Sequence, residues 1–183
     1  MCFVNVLKLA CIGMLASLLA GCDGLGDDLQ PTGQDQRQAV VAGTIGPEVT
    51  QLGPDFTLSD TLAATVTLSS ERQASRAVVL YFTMWCSTCD EHMHSMRTTV
   101  VKDFPDVSFL LVDYVMGTVP YSRAAQLNAG YGDFRVLVDG EDGVENAYKA
   151  TMGTTIVIDS LGVVRMNEDY KNGAKLKAVL EAL

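Results

Sequence analysis

The 183-residue sequence predicts one α/β domain, a central mixed sheet flanked by helices, with a β-hairpin added at the domain's N-terminal side. Three observations predict it. Ala77–Phe82 and Val107–Val112 are apolar runs of strand length, as expected of central strands covered on both faces. Between them the apolar spacing turns helical, with Met93, Met96, Val100 and Val101 three and four residues apart. Shorter segments that alternate apolar and polar residues precede the first run, as half-buried strands do.

In chain order, Asp55–Leu58 and Thr65–Leu68 read as the two short strands of the added hairpin. Ala77–Phe82 follows as the central strand, then a helix from Ser87 to about Phe104 and the buried strand Val107–Asp113. Tyr121–Ala129 reads as a helix, Phe134–Val138 as a strand and Val144–Ala150 as a short helical turn. Thr154–Asp159 and Val163–Met166, joined at Ser160-Leu161-Gly162, form a second hairpin and an antiparallel edge. Leu176, Val179, Leu180 and Leu183 line one face of a C-terminal helix capped by Asn172.

Hydrophobic residues make up 48% and charged residues 19%, a globular balance. The net charge of −9 would repel nucleic acid, which is excluded as a partner. Of the five cysteines, Cys2, Cys11 and Cys22 lie near the N-terminus, and only Cys86 and Cys89 lie in the domain. Two cysteines three positions apart do not make a framework of structural disulfides.

Met1–Gly21 carries one charge, Lys8, before the apolar stretch Leu9–Ala20. A spanning helix needs about 20 apolar residues, so this segment reads as an export signal, residues 1–21. Leu19-Ala20-Gly21-Cys22 resembles the bacterial lipobox at all four positions, which implies cleavage before Cys22 and lipidation of it. Asp23 after it resembles the inner-membrane retention signal of enterobacterial lipoproteins, which implies the inner membrane, with the rest of the chain on its extracytoplasmic, periplasmic face. Residues 22–51 lack an apolar period and read as a flexible tether that reaches up to about 100 Å, leaving 52–183 as the domain.

Trp85-Cys86-Ser87-Thr88-Cys89 stands where the central strand gives way to a helix, which makes a lone Cys-x-x-Cys informative. The field at a helix N-terminus favours a thiolate, so Cys86 is expected to ionise more easily than a free thiol and to attack substrate. Cys89, deeper in the helix, is expected to resolve the mixed disulfide. Structural zinc is excluded because the domain offers too few Cys and His ligands, and no metal or cofactor is expected.

Pro54–Leu58, the strand entering Trp85–Cys89, and Thr154–Gly162 together resemble the TlpA/ResA-like thioredoxins, over about Leu52–Leu183. The resemblance implies a thioredoxin-like fold and an extracytoplasmic, membrane-tethered oxidoreductase acting on protein thiols and disulfides, with a membrane electron donor. Three positions depart from the family pattern. Gly153, after Met152, stands where the family has a cis-proline; with glycine there, the Met152–Gly153 bond is expected to be trans, and Gly153→Pro to raise reductase activity. Leu80 replaces an acidic or amide residue six positions before the first cysteine, the usual buried proton acceptor. His92 and His94 replace a Glu and a helix-kinking Pro.

His92 lies three residues beyond Cys89. It is either a solvent-facing residue or the proton acceptor that Leu80 cannot be. The leading function is a thiol–disulfide oxidoreductase. The crowding of Cys86, Cys89, His92, Met93, His94 and Met96 leaves two alternatives, a copper-binding accessory protein for oxidase assembly and, third, a thiol peroxidase.

Overall fold

The computed structural model describes residues 38–183. In chain order the elements are β1 Thr57–Asp60, β2 Thr65–Thr67, α1 Leu68–Ala74, β3 Ala77–Thr83 and α2 Ser87–Thr99. A 3₁₀ turn at Val101–Asp103 leads to β4 Val107–Asp113, α3 Val119–Asn128, β5 Arg135–Val138 and α4 Gly143–Tyr148. The chain closes with β6 Thr154–Asp159, β7 Val164–Asp169 and α5 Ala174–Glu181.

All seven strands form one sheet in the order β2-β1-β5-β4-β3-β6-β7. β3 is central because every one of its residues is buried, and only a strand covered on both faces can carry so continuous an apolar run. It pairs parallel with β4, from Ala77↔Val107 to Thr83↔Asp113, and antiparallel with β6. The predicted N-terminal hairpin is present: β1 and β2 pair antiparallel and join the sheet alongside β5.

Strand parity divides the core. Ala77, Val79 and Tyr81 face Met93 and Met96 of α2, Val100 at its C-terminal cap, and Leu176 and Leu180 of α5. Val78, Leu80 and Phe82 face the opposite layer, with Leu68 of α1 and Val144 and Tyr148 of α4. Met93 and Met96 are each 1% exposed, and burying side chains of that size contributes about 1.5–3 kcal/mol apiece. That burial holds α2, and with it the start of α2, in a fixed place on the sheet.

Three expectations are corrected. Thr65–Leu68 is not all strand: the Thr67 hydroxyl accepts from Ser70 N–H and caps α1, a short helix with one buried residue, Leu68, and hence no readable apolar period. Asn172 is not the residue capping α5; Gly173 is, while Asn172 Oδ1 accepts from Ala174 N–H at 3.2 Å. The folded unit begins at Val40, not at residue 52. Thr50 N–H donates to Val164 O and Val164 N–H to Gln51 O, so this segment pairs with the start of β7 through backbone bonds, which leave no pattern in side-chain hydropathy. The export signal, Cys22 and most of the tether lie outside the described residues.

Candidate active site

β3 ends at Thr83, and the next three residues turn the chain into α2. Trp85 makes that turn in the left-handed region, φ +60°, a conformation that costs about 1–3 kcal/mol for a bulky residue. It is held by two bonds, backbone N–H to Thr83 Oγ1 at 3.1 Å and indole Nε1–H to Asp113 Oδ2 at 2.8 Å. Asp113 is fully buried at the end of β4, and its other oxygen accepts from Val115 and Met116 N–H. Parallel register sets Asp113 beside Thr83, so the carboxylate arrives next to Trp85 without a sequence neighbour of its own.

Cys86 is the N-cap of α2, extended at φ −85° and ψ 170°, and its sulfur accepts from Cys89 N–H at 3.2 Å. The two thiols are in contact, Sγ to Sγ 2.7 Å. Cys86 is half-buried and Cys89 fully buried. Burial and the mutual hydrogen bond act on both thiols. Burial raises Cys89, but the Cys86 S–H, the backbone of Met84 and Cys86, and the Thr83 hydroxyl together bring it below the ordinary thiol value. Burial and the hydrogen bond with Cys89 push Cys86 up. The close pair thus shares one proton between two sulfurs 2.7 Å apart. When that proton sits on Cys89, the accessible Cys86 sulfur is a thiolate.

On the Cys89 side of the sheet stands Tyr81, which sequence reading absorbed into an apolar run. It is fully buried, its hydroxyl lies 3.1 Å from His92 Nδ1, and burial followed by the charges of Cys89 and Cys86 drives its pKa far up. Leu80 points into the other core layer, away from the cysteines. His92 is not a solvent-facing residue: it is half-buried, its ring is 5.0 Å from that of Tyr170, and burial lowers its pKa against the opposing pull of Glu91 and Asp169.

Gly153 faces the same histidine, since a Cβ built on it would lie 3.5 Å from His92 Nδ1. Among the described residues no peptide bond is cis, Met152–Gly153 included. Gly153 has φ +88°, and its N–H donates to Phe82 O at 2.9 Å. Proline can satisfy neither condition in this loop conformation, which argues against the expectation that Gly153→Pro would raise activity. Met152 is half-buried and packs against the cluster that holds Cys86 and Trp85. Met93 and Met96 belong to the core and His94 is exposed, so the sulfur- and nitrogen-rich segment diverges. Among the described residues no three His, Cys, Asp or Glu side chains converge as a metal site.

With the paired thiols and the strand–helix turn in place, the match to known families is decisive, over residues 49–167. The chain belongs to the AhpC/TSA family. Membership agrees with the resemblance to TlpA/ResA-like redoxins and makes the chain a thiol redox enzyme. Among solved structures it is similar to the exposed lipoprotein thioredoxin of Streptococcus pneumoniae, with 22% identity, 70% of this chain and 99% of that one covered, and a TM-score of 0.58. It is also similar to a peroxidoxin of Mycobacterium tuberculosis, with 21% identity, coverage of 71% and 94%, and a TM-score of 0.59. A secreted disulfide oxidoreductase of Mycobacterium tuberculosis homologous to DsbE of E. coli matches at 19% identity, coverage of 70% and 96%, and a TM-score of 0.56. These likenesses show the thioredoxin-like fold. No curated protein matches the chain.

Proposed function

We propose that this redoxin is an extracytoplasmic, membrane-tethered thiol–disulfide oxidoreductase that reduces disulfides of protein substrates through Cys86 and Cys89. One observation carries the reading: an accessible thiol caps α2 in contact with a buried thiol 2.7 Å away. The Cys86 thiolate attacks a substrate disulfide, forming a mixed disulfide and releasing one substrate thiolate. Cys89 then attacks Cys86, closing the Cys86–Cys89 disulfide and releasing the second. Trp85 and the Met152–Gly153 loop flank the accessible sulfur and shape the approach of a peptide. Lipidation at Cys22 holds the domain at the inner membrane, where a membrane electron donor returns the pair to the dithiol. Among the described residues no helix is long and apolar enough to cross a membrane.

Cys89→Ala is expected to trap mixed disulfides with client proteins, and Cys86→Ala to trap none. Trapping by Cys86→Ala instead would reverse the assignment. A reduction potential near thioredoxin's value of about −270 mV supports the reducing direction, and one near about −120 mV overturns it. Family membership also favours a second reading, reduction of a peroxide by Cys86. Peroxide consumption that outpaces insulin reduction under equal conditions would select that reading.

A further inference from the structure

Resolution of the mixed disulfide needs Cys89 as a thiolate, and the dithiol geometry shows why that is difficult at the moment it is required. In the dithiol the largest influence lowering the Cys89 pKa is the Cys86 S–H that donates to it. Once Cys86 is bonded to a substrate sulfur, that donor no longer exists. Cys89 then carries the formerly shared proton in a fully buried position, where burial opposes its ionisation.

The carboxylate nearest to the strand ends cannot help directly. Both oxygens of Asp113 are occupied, one by the indole of Trp85 and one by two backbone N–H groups. Leu80 faces the other side of the sheet. The Thr83 hydroxyl beside Cys89 is tied to Trp85 N–H and leads to no base; the other hydroxyl there is that of Tyr81, fully buried, near enough to Cys89 for the thiolate to raise its pKa, with His92 Nδ1 3.1 Å from it. His92 follows Cys89 by three residues on α2, which places both on adjoining positions of one helix face.

We propose that Tyr81 and His92 form a proton relay that deprotonates Cys89 for the resolving step. The Cys89 S–H proton passes to Tyr81 Oη as the Tyr81 hydroxyl proton passes to His92 Nδ1, leaving a thiolate, an unchanged tyrosine and an imidazolium. The thiolate attacks Cys86; the Cys86–Cys89 bond forms, the bond from Cys86 to substrate sulfur breaks, and its electron pair leaves on the substrate thiolate. His92 is half-buried and passes the proton on to water. The groups facing it are Glu91 on its own helix, Asp169 and Tyr170 at and just beyond the end of β7, and Tyr81 on β3. Burial keeps His92 below the ordinary histidine value, so it is neutral and able to accept at pH 7.

The proposal rests on Cys86 as attacking and Cys89 as resolving thiol, and one assay separates the two ideas. The full chain with Cys2, Cys11 and Cys22 replaced by Ser is reduced and mixed with 5,5′-dithiobis(2-nitrobenzoate). Attack by Cys86 releases one thionitrobenzoate, and attack of Cys89 on Cys86 releases a second in a slower phase. In Tyr81→Phe and His92→Gln the second phase is expected to slow by about tenfold or more at pH 7, with the first phase changed less than about twofold. The deficit closes to less than about twofold near pH 10, where hydroxide removes the proton directly. The double variant should be no slower than the slower single one, because both residues serve one path. A second phase unchanged in both variants, or slowed equally at every pH, overturns the relay. Release of only one equivalent by the parent protein instead overturns the two-thiol reading on which it stands.

Discussion

Substitutions at Gly153 separate two requirements that the loop before β6 meets at once. Its backbone is left-handed, φ +88°, and its N–H is bonded to Phe82 O at 2.9 Å. Alanine keeps the N–H, and its Cβ would sit 3.5 Å from His92 Nδ1, an ordinary contact. Only the backbone conformation is then penalised, by about 1–2 kcal/mol. Proline holds φ near −65° and has no N–H, so the loop must leave its position and a carbonyl of the central strand loses a donor, about 1–3 kcal/mol more. Together the two effects cost about 2–5 kcal/mol, a large share of a typical domain stability of about 5–15 kcal/mol. Urea unfolding followed by the fluorescence of Trp85, the one tryptophan of the chain, should rank wild type above Gly153→Ala and that above Gly153→Pro. Insulin reduction by Gly153→Pro is expected to fall, because Met152 and the ring of His92 move with the loop. Wild-type stability in the proline variant would refute the reasoning, since proline would then occupy the loop without strain.

Asp113→Asn must set an amide N–H against either the Trp85 indole or the two backbone N–H groups; a loss of about 1–3 kcal/mol and a changed near-ultraviolet dichroism of Trp85 are expected, and an unaltered spectrum would show that Asp113 does not hold the indole. Asp60 is 5% exposed, and although burial raises its pKa, bonds from Ala64 and Leu62 N–H and from Arg135 bring it below the ordinary carboxylate range. Its contribution is thus complete above the unfolded pKa of about 3.9 and lost as pH falls through the lower folded value, so Asp60→Asn should flatten the acid limb of the stability curve; an identical pH slope in the variant would count against this. Cys22→Ser should move the chain out of the detergent-extracted membrane fraction or leave the precursor uncleaved, and unchanged fractionation and mobility would speak against lipidation there.

Much of the fold was legible because its signals are local. The run Ala77–Phe82 has the length and β-branched, aromatic content of a buried strand, and the Met93, Met96 and Val100 spacing that of a helix seated on it, so the position of Cys86 at the strand–helix turn followed. What stayed hidden depends on partners far along the chain. Thr50 and Gln51 are held by backbone bonds to Val164 of β7, more than 100 positions away, and the exposed Val41 and Ile45 before them give no apolar period to read. Asp113 reaches Trp85 only through the parallel register of β3 and β4, a pairing that composition does not encode. The acidity of the two thiols is not a local matter either: the helix-terminus field acts on Cys86, but burial and a shared proton act on both sulfurs at once.

The departures at Leu80, His92 and Gly153 looked independent in the sequence, and strand parity ties them together. Residues 80 and 81 lie on opposite faces of β3, so apolar Leu80 completes one core layer while Tyr81 lies in the layer that contains Cys89. A hydroxyl there needs a partner, because a buried unpaired phenol would be costly, and His92 Nδ1 supplies it at 3.1 Å. The histidine in turn lies against residue 153, where an added Cβ would be in contact with the imidazole. Each position thereby constrains the next. Restoring an acid at residue 80 alone would bury an unpaired charge in the wrong layer, whereas Tyr81, His92 and Gly153 give the buried thiol a polar neighbour using groups already compatible with the packing.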